Sequence, residues 1–285
     1  MECAQTIGFS DEAELKDRCQ LQFLAQLMRQ GADRFVLKGG LTMRALYDSV
    51  RLTKDIDFDC EDSVSAQSMK NQLPKALLLA ARLCGLTQPL VAQTKNGDRA
   101  CRWRLEVTLP GSVRRMSYEV EISRRGLPRA AYITTATIRP PVQYRMSPFV
   151  VRVYTDAAMA AAKVNALLSD NRSVPRDVYD LYELSVRGAD PSALWVESVA
   201  REVLERKRGQ VWHKILAIGF EMANAELLTW LSPSVRATIN AARWDEMRAQ
   251  FGESVDRWFG RAVPLAKRAE EHGHDPQSDA DLAGR

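Results

Sequence analysis

The sequence predicts an α+β N-terminal half followed by a helical C-terminal half. Three observations carry that expectation. Short apolar and β-branched runs with two-residue alternation recur between Phe35 and Val153. From Asp156 onward the apolar spacing changes to the three-to-four-residue period of helices. At 285 residues the chain is long enough to bury one large core or two small ones. The expected organisation is a strand-rich unit over 1–154, a helical unit over 155–262 and a disordered acidic tail over 263–285, whose small and charged residues offer little to pack.

The elements follow in order. Asp11 to Gln30 places Leu15, Cys19, Phe23 and Leu27 on one helical stripe, with Ser10 or Asp11 as cap and Gly31 as terminator. Phe35-Val36-Leu37 is a short strand running into Lys38-Gly39-Gly40, and Leu41 to Asp48 is a helix. Asp55-Ile56-Asp57-Phe58-Asp59 alternates acid and apolar residues as a strand does, and Ser65 to Gly85 is a long helix. Leu90–Ala92 and Cys101–Leu109 are strands joined by a turn at Lys95-Asn96-Gly97-Asp98. Further strands are expected at Met116–Ser123, Tyr132–Ile138 and Phe149–Val153. Helices are expected over 156–169, 176–187, 191–206, 210–230, 233–249 and 252–260.

Composition excludes several classes. With 46% hydrophobic and 27% charged residues the chain is of ordinary globular type. No apolar run approaches the roughly 18 residues of a membrane span, so no membrane partner is expected. The N-terminus does not read as a signal peptide. The five cysteines are scattered, with no Cys-x-x-Cys pair, which points away from a disulfide framework or zinc site and toward a reducing, cytoplasmic home. Net charge is +4, but Arg99 to Arg152 holds eleven arginines against three acids, a balance of 11 − 3 = +8, while Glu270 to Arg285 balances at 1 − 5 = −4. A basic middle suits a phosphate-rich partner, though a solvated arginine-rich sheet face would read the same way.

Asp55 and Asp57 stand two apart on a strand, so both carboxylates share a face. Like charges that close repel unless a cation lies between them, and oxygen-only ligands suit Mg²⁺ or Mn²⁺. Asp59 extends the face but sits nearer the strand end. Alone, Asp-x-Asp is equally a solvated edge. The preceding Lys38-Gly39-Gly40 changes the balance, because glycines where a strand enters a helix let backbone N–H groups approach a phosphate. A third carboxylate is sought on a neighbouring strand, where Glu119 and Glu121 share a face. Glu121, flanked by Val120 and Ile122, is preferred for the metal, while pairing of both glutamates with nearby arginines stays open. Arg102 and Arg104 share a face beside Trp103 and suit either an RNA backbone or a solvated edge. The tryptophans at 195, 212, 230, 244 and 258 fall at helical positions expected in the core.

These residues carry a resemblance. Phe35-Val36-Leu37-Lys38-Gly39-Gly40, then Met43-Arg44-x-Leu46-Tyr47, then Arg51-Leu52-Thr53-Lys54-Asp55-Ile56-Asp57-Phe58 resembles the AbiEii/AbiGii toxin nucleotidyltransferases. Lys163, Arg172 and Arg176-Asp177-Val178-Tyr179-Asp180-Leu181 resemble that family's second block, a lysine helix followed by Arg-Asp-x-x-Asp. The usual hydroxyl residue after the glycine pair is Leu41 here, so its role passes to Thr42 or to the backbone; Thr53 keeps the hydroxyl before Asp-Ile-Asp. The resemblance implies a polymerase-beta-like palm with a mixed sheet, a helical C-terminal domain and an active site between them. It implies an NTP substrate, catalytic roles for Asp55, Asp57, Glu121 and Lys163, and nucleotide contacts from Lys38, Gly39, Gly40, Thr42, Arg44, Asp177 and Asp180. It further implies nucleotide transfer to tRNA that blocks translation, and a cognate antitoxin protein. On physical grounds alone, Arg176 and Asp180 are also a plausible i, i+4 ion pair on a helix opened by Pro175. A protein or small-molecule acceptor, or a catalytically silent RNA- or partner-binding module, are the alternatives. A silent binder would keep its RNA affinity in EDTA.

Overall fold

The computed structural model describes residues 9–32, 34–47, 49–61, 63–170 and 173–271. Arg172 and the C-terminal histidines, His272 and His274, lie outside them. Within the described residues the chain divides into two compact units, with the boundary between Val153 and Tyr154.

The first unit is built on a seven-stranded mixed sheet of order β3-β4-β5-β2-β1-β7-β6. The strands are β1 (Phe35–Lys38), β2 (Ile56–Cys60), β3 (Thr87–Asn96), β4 (Ala100–Thr108), β5 (Arg115–Ser123), β6 (Ile133–Ile138) and β7 (Phe149–Tyr154). β2 lies antiparallel to β1 and parallel to β5, so the acidic strand sits in the middle of the sheet. Its alternation then has a direct cause. Ile56 and Phe58 are fully buried on one face, together with Val120 and Ile122 of β5 and Leu105 of β4. Asp57 and Asp59 of the strand are left to the opposite face, and Asp55 immediately precedes the strand.

Helix α1 (Asp11–Arg29) and helix α3 (Ala66–Leu83) pack on each other, and buried Phe23 of α1 meets Phe58 edge-on at 6.5 Å. Ser10 caps α1 by accepting from the Ala13 N–H, and Ser65 caps α3 by accepting from the Ser68 N–H. The hairpin expected at Asn96-Gly97 joins β3 to β4, with the Gly97 N–H donating to the Ala100 carbonyl at 3.0 Å.

The second unit is helical throughout its described length: α4 (Asp156–Leu168), α5 (Pro175–Val186), α6 (Ser192–Ser198), α7 (Arg201–Ala217), α8 (Phe220–Glu226), α9 (Pro233–Arg236) and α10 (Ala241–Glu271). Trp195, Trp244 and Trp258 are buried, and Trp195 stacks on Phe259 at 4.5 Å. The helix bounds depart from expectation here. The stretch 191–206 is two helices that break at Val199-Ala200, and 210–230 is broken at Ile218-Gly219. Two expected helices, 233–249 and 252–260, are instead a short α9 and a single long α10 that continues through Gly252 and Pro264 to Glu271. Gly252 does not end the helix because it makes room for a ring: a Cβ there would lie 2.2 Å from the Trp212 indole. Residues 263–271, expected in the disordered tail, are thus helical.

Candidate active site

The site face of the first unit is assembled by strand register. Asp57 of β2 is directly beside Lys38 of β1 on one side and Glu121 of β5 on the other, and Glu121 is beside Arg102 of β4. Four charged residues from four adjacent strands therefore form one row, in the order Lys38, Asp57, Glu121, Arg102. Neighbours across a sheet project from the same face.

The Lys38-Gly39-Gly40 segment, expected to receive phosphate, sits at one end of this row. Lys38 is the N-cap of helix α2 (Gly39–Leu46), and Gly39 turns the chain with a φ of +70°. That value suits glycine, and space demands glycine as well: a Cβ at Gly39 would lie 2.6 Å from Asp57 Oδ2. Gly40 is equally constrained, since its Cβ would lie 2.6 Å from Thr53 Oγ1 and 2.9 Å from an Arg51 guanidinium nitrogen. The start of α2 thus rests against the Asp57 carboxylate and against the loop that delivers it. Thr53 Oγ1 donates to the Asp55 carbonyl at 3.1 Å, and Gln20 Nε2 of α1 donates to the Lys54 carbonyl at 3.1 Å. Asp55 Oδ1 accepts the Glu119 backbone N–H at 3.0 Å, which ties the first carboxylate to β5.

Several expected ligands have other partners. Lys38 Nζ is 2.6 Å from Asp59 Oδ1, so Asp59 serves as counter-ion to the cradle lysine. Thr42 and Arg44, expected to contact nucleotide, are 0% and 1% exposed. The Arg44 guanidinium instead pairs with buried Asp17 at 3.0 Å, and the Tyr144 hydroxyl donates to the same carboxylate at 2.7 Å. Arg44 holds α2 against α1 and is a positioning residue in this arrangement. Glu121 Oε2 receives both Nε, at 3.0 Å, and a terminal nitrogen of Arg102. Arg102 also reaches Glu119 at 3.3 Å, and Arg104 pairs with Glu119 at 2.7 Å. The hydrogen bond to Glu121, with the nearby carboxylates, raises the Arg102 pKa further.

In the second unit Lys163 of α4 lies 3.2 Å from Asp177 and 2.5 Å from Asp180 of α5. Both aspartates are fully buried and stand three apart on one helix face. Asp180, paired on sequence grounds with Arg176, is turned onto Lys163.

Sequence reading missed two contributors, Gln20 and Lys16, and left the partner of a third open. Gln20 is a polar residue at a fully buried helix position, which was a usable signal. Lys16, one turn earlier on α1, is close enough to Asp55 to feel it: burial lowers the lysine's pKa and Asp55 partly restores it. The third is Arg102, singled out in the sequence, where pairing of Glu119 and Glu121 with nearby arginines was left open; the strand order makes Arg102 the partner of Glu121.

Among the described residues, no three His, Cys, Asp or Glu side chains gather closely enough to hold a metal ion. The donor set nevertheless fits a hard divalent cation. Mg²⁺ is commonly held by one or two carboxylates plus substrate phosphates. Asp55 and Asp57 offer two carboxylates of the hard-oxygen type, and Gly39 abuts Asp57.

The profile of the AbiEii nucleotidyl transferase toxins of type IV toxin–antitoxin systems matches residues 22–269, which spans both units. The chain belongs to the AbiEii family. It is thus a nucleotidyltransferase by family, and the family implies an NTP substrate and a cognate antitoxin. Two solved structures from Helicobacter pylori share the fold. JHP933 aligns with a TM-score of 0.56 at 15% identity, covering 95% of this chain and 98% of that one. A protein described as a candidate nucleotidyltransferase aligns with a TM-score of 0.57 at 15% identity, covering 94% of this chain and all of that one. No curated protein matches the sequence. No helix among the described residues is long and apolar enough to cross a membrane.

Proposed function

We propose that this AbiEii-family chain transfers a nucleotidyl group from an NTP to tRNA, and that a neighbouring antitoxin restrains it in the cytoplasm because the modified tRNA no longer supports translation. The observation that carries the reading is the abutment of the Gly39 cradle on Asp57, within the row Lys38–Asp57–Glu121. A phosphate-binding backbone beside a carboxylate face is what a triphosphate substrate needs.

In this reading Asp55 and Asp57 hold Mg²⁺ or Mn²⁺, with Glu121 as third carboxylate. When bound, the cation neutralises triphosphate charge. Lys38, Gly39 and Gly40 receive the phosphates, and Thr42 and Arg44 hold α2 in place beneath them. In the second unit Lys163 is held by Asp177 and Asp180. The acceptor hydroxyl oxygen attacks the α-phosphorus, the bond to the bridging oxygen breaks, and pyrophosphate leaves. A carboxylate of the Asp55–Asp57 pair takes the hydroxyl proton.

The test is incubation of purified protein with total tRNA, Mg²⁺ and each labelled NTP in turn, beside Asp57→Ala. The expected result is label in RNA with the wild type and none with the variant. Label entering protein or a small molecule would move the acceptor. No transfer with any NTP, together with RNA binding that survives EDTA, would replace catalysis by a binding role.

A further inference from the structure

Glu121 lies midway between two possible partners. The register sets it directly beside Asp57 on β2 and directly beside Arg102 on β4. Its carboxylate is drawn to the β4 side, where Arg102 places Nε at 3.0 Å and a terminal nitrogen closer still on the same oxygen, Oε2. Elementary electrostatics accounts for the choice. Without a cation, like charges opposite each other on a sheet repel, so Asp57 disfavours Glu121 while Arg102 attracts it. Arg102 also reaches Glu119, whose own N–H is bonded to Asp55. One guanidinium therefore bridges both glutamates of β5 beside the two aspartates.

We infer that Arg102 is a competing counter-ion for Glu121: it holds the third carboxylate off the Asp55–Asp57 pair until a divalent cation draws it back, and so sets the affinity of the site for metal. This rests on the reading of Asp55, Asp57 and Glu121 as the cation site. The pair is suited to exchange. The Arg102 and Glu121 side chains are 37% and 31% exposed, so the bond is screened and weak enough to break. A cation on the aspartates reverses the field at Glu121 from repulsive to attractive. Arg102 is then left on the same face without its main partner, in reach of any phosphate that arrives with the metal.

Mn²⁺ titration of the nucleotide-free, full-length protein, followed by electron paramagnetic resonance of free Mn²⁺, tests this without turnover. Arg102→Gln should bind Mn²⁺ about three-fold more tightly than wild type, the scale of a half-exposed ion pair. In a Glu121→Gln background the same substitution should change affinity little, because the competition is gone. Arg104→Gln, which removes an equal charge from a residue paired with Glu119, serves as control for net charge. The inference is overturned if Arg102→Gln binds Mn²⁺ no more tightly than wild type, or if its gain is matched by Arg104→Gln or persists with Glu121→Gln. Asp57→Ala separates the two levels. If Asp57→Ala binds Mn²⁺ as wild type does, the cation site itself is elsewhere and both readings fall. If Asp57→Ala loses Mn²⁺ and Arg102→Gln changes nothing, only the counter-ion role falls.

Discussion

Gly39 is where backbone conformation and site chemistry meet in one residue. Its φ of +70° and its 2.6 Å approach to Asp57 are separate reasons for glycine, and they can be separated. Gly31 has a similar φ of +73° but open space around its Cβ position. Alanine at either position should cost about 1–2 kcal/mol of stability from left-handed backbone strain. Only Gly39→Ala should also push the Asp57 carboxylate aside, and displacement of that order costs roughly 100-fold in rate. Thermal melts and NTP turnover of the two variants check this. Equal losses of activity would mean that the cradle does not position Asp57. At this scale the alternation that turns Asp57 and Asp59 away from buried Ile56 and Phe58 was legible from two-residue spacing alone, because strand periodicity is local. The hold of Arg102 on Glu121 was not, since it depends on β5 lying between β2 and β4. The burial of Arg44 was hidden for the same reason: its partner Asp17 is 27 residues away on another helix.

Among the elements, α10 shows how a glycine can build a helix that propensity alone would interrupt. Gly252 lets the Trp212 ring of α7 lie against the α10 backbone, and Trp212 Nε1 donates to Asp256 Oδ2 at 2.8 Å one turn later. Two effects oppose each other on Gly252→Ala. Helix propensity favours alanine by about 1 kcal/mol. Against it stand overpacking, at about 1–3 kcal/mol, and the strained Trp212–Asp256 bond, at about 1 kcal/mol. The clash should win, and the melting temperature should fall. Gly260 is on the same helix with nothing near its Cβ position, so Gly260→Ala should raise it by the propensity term alone. A differential scanning calorimetry comparison settles it, and a rise for both variants would show that α7 and α10 do not pack through this contact. The expected break near residue 250 was missed because a sequence window sees the glycine and not the indole across from it. Most other elements were readable, since Ser10, Ser65 and Thr155 cap helices and alternation marks strands.

On the scale of the whole molecule, the periodicity changes from strand to helix after residue 154, and the described residues form two compact units divided between Val153 and Tyr154. Sheet order was beyond the sequence, because β2 pairs with a strand more than fifty residues away. Charge was legible only in sum. The arginine-rich middle looks strongly basic in sequence, yet Arg102, Arg104, Arg114, Arg115 and Arg152 each have a carboxylate partner. Paired guanidiniums contribute less to the field felt by a polyanion, so the effective positive patch is smaller than the count suggests. Arg99, Arg139 and Arg145 are exposed, and no ion pair binds them among the described residues. Under the tRNA reading proposed above, they are cations with no ion pair to give up on binding. For the proposed tRNA acceptor, each phosphate contact contributes about 0.7–0.9 to the slope of log affinity against log salt. Replacing all three by glutamine should therefore flatten that slope by about two to three. Replacing Arg104 and Arg115, already neutralised by Glu119 and Glu106, should flatten it less. Fluorescence anisotropy of labelled tRNA across a salt series measures both. Equal flattening would mean that RNA strips the sheet's ion pairs on binding, and that the paired arginines dock it as well as the unpaired ones.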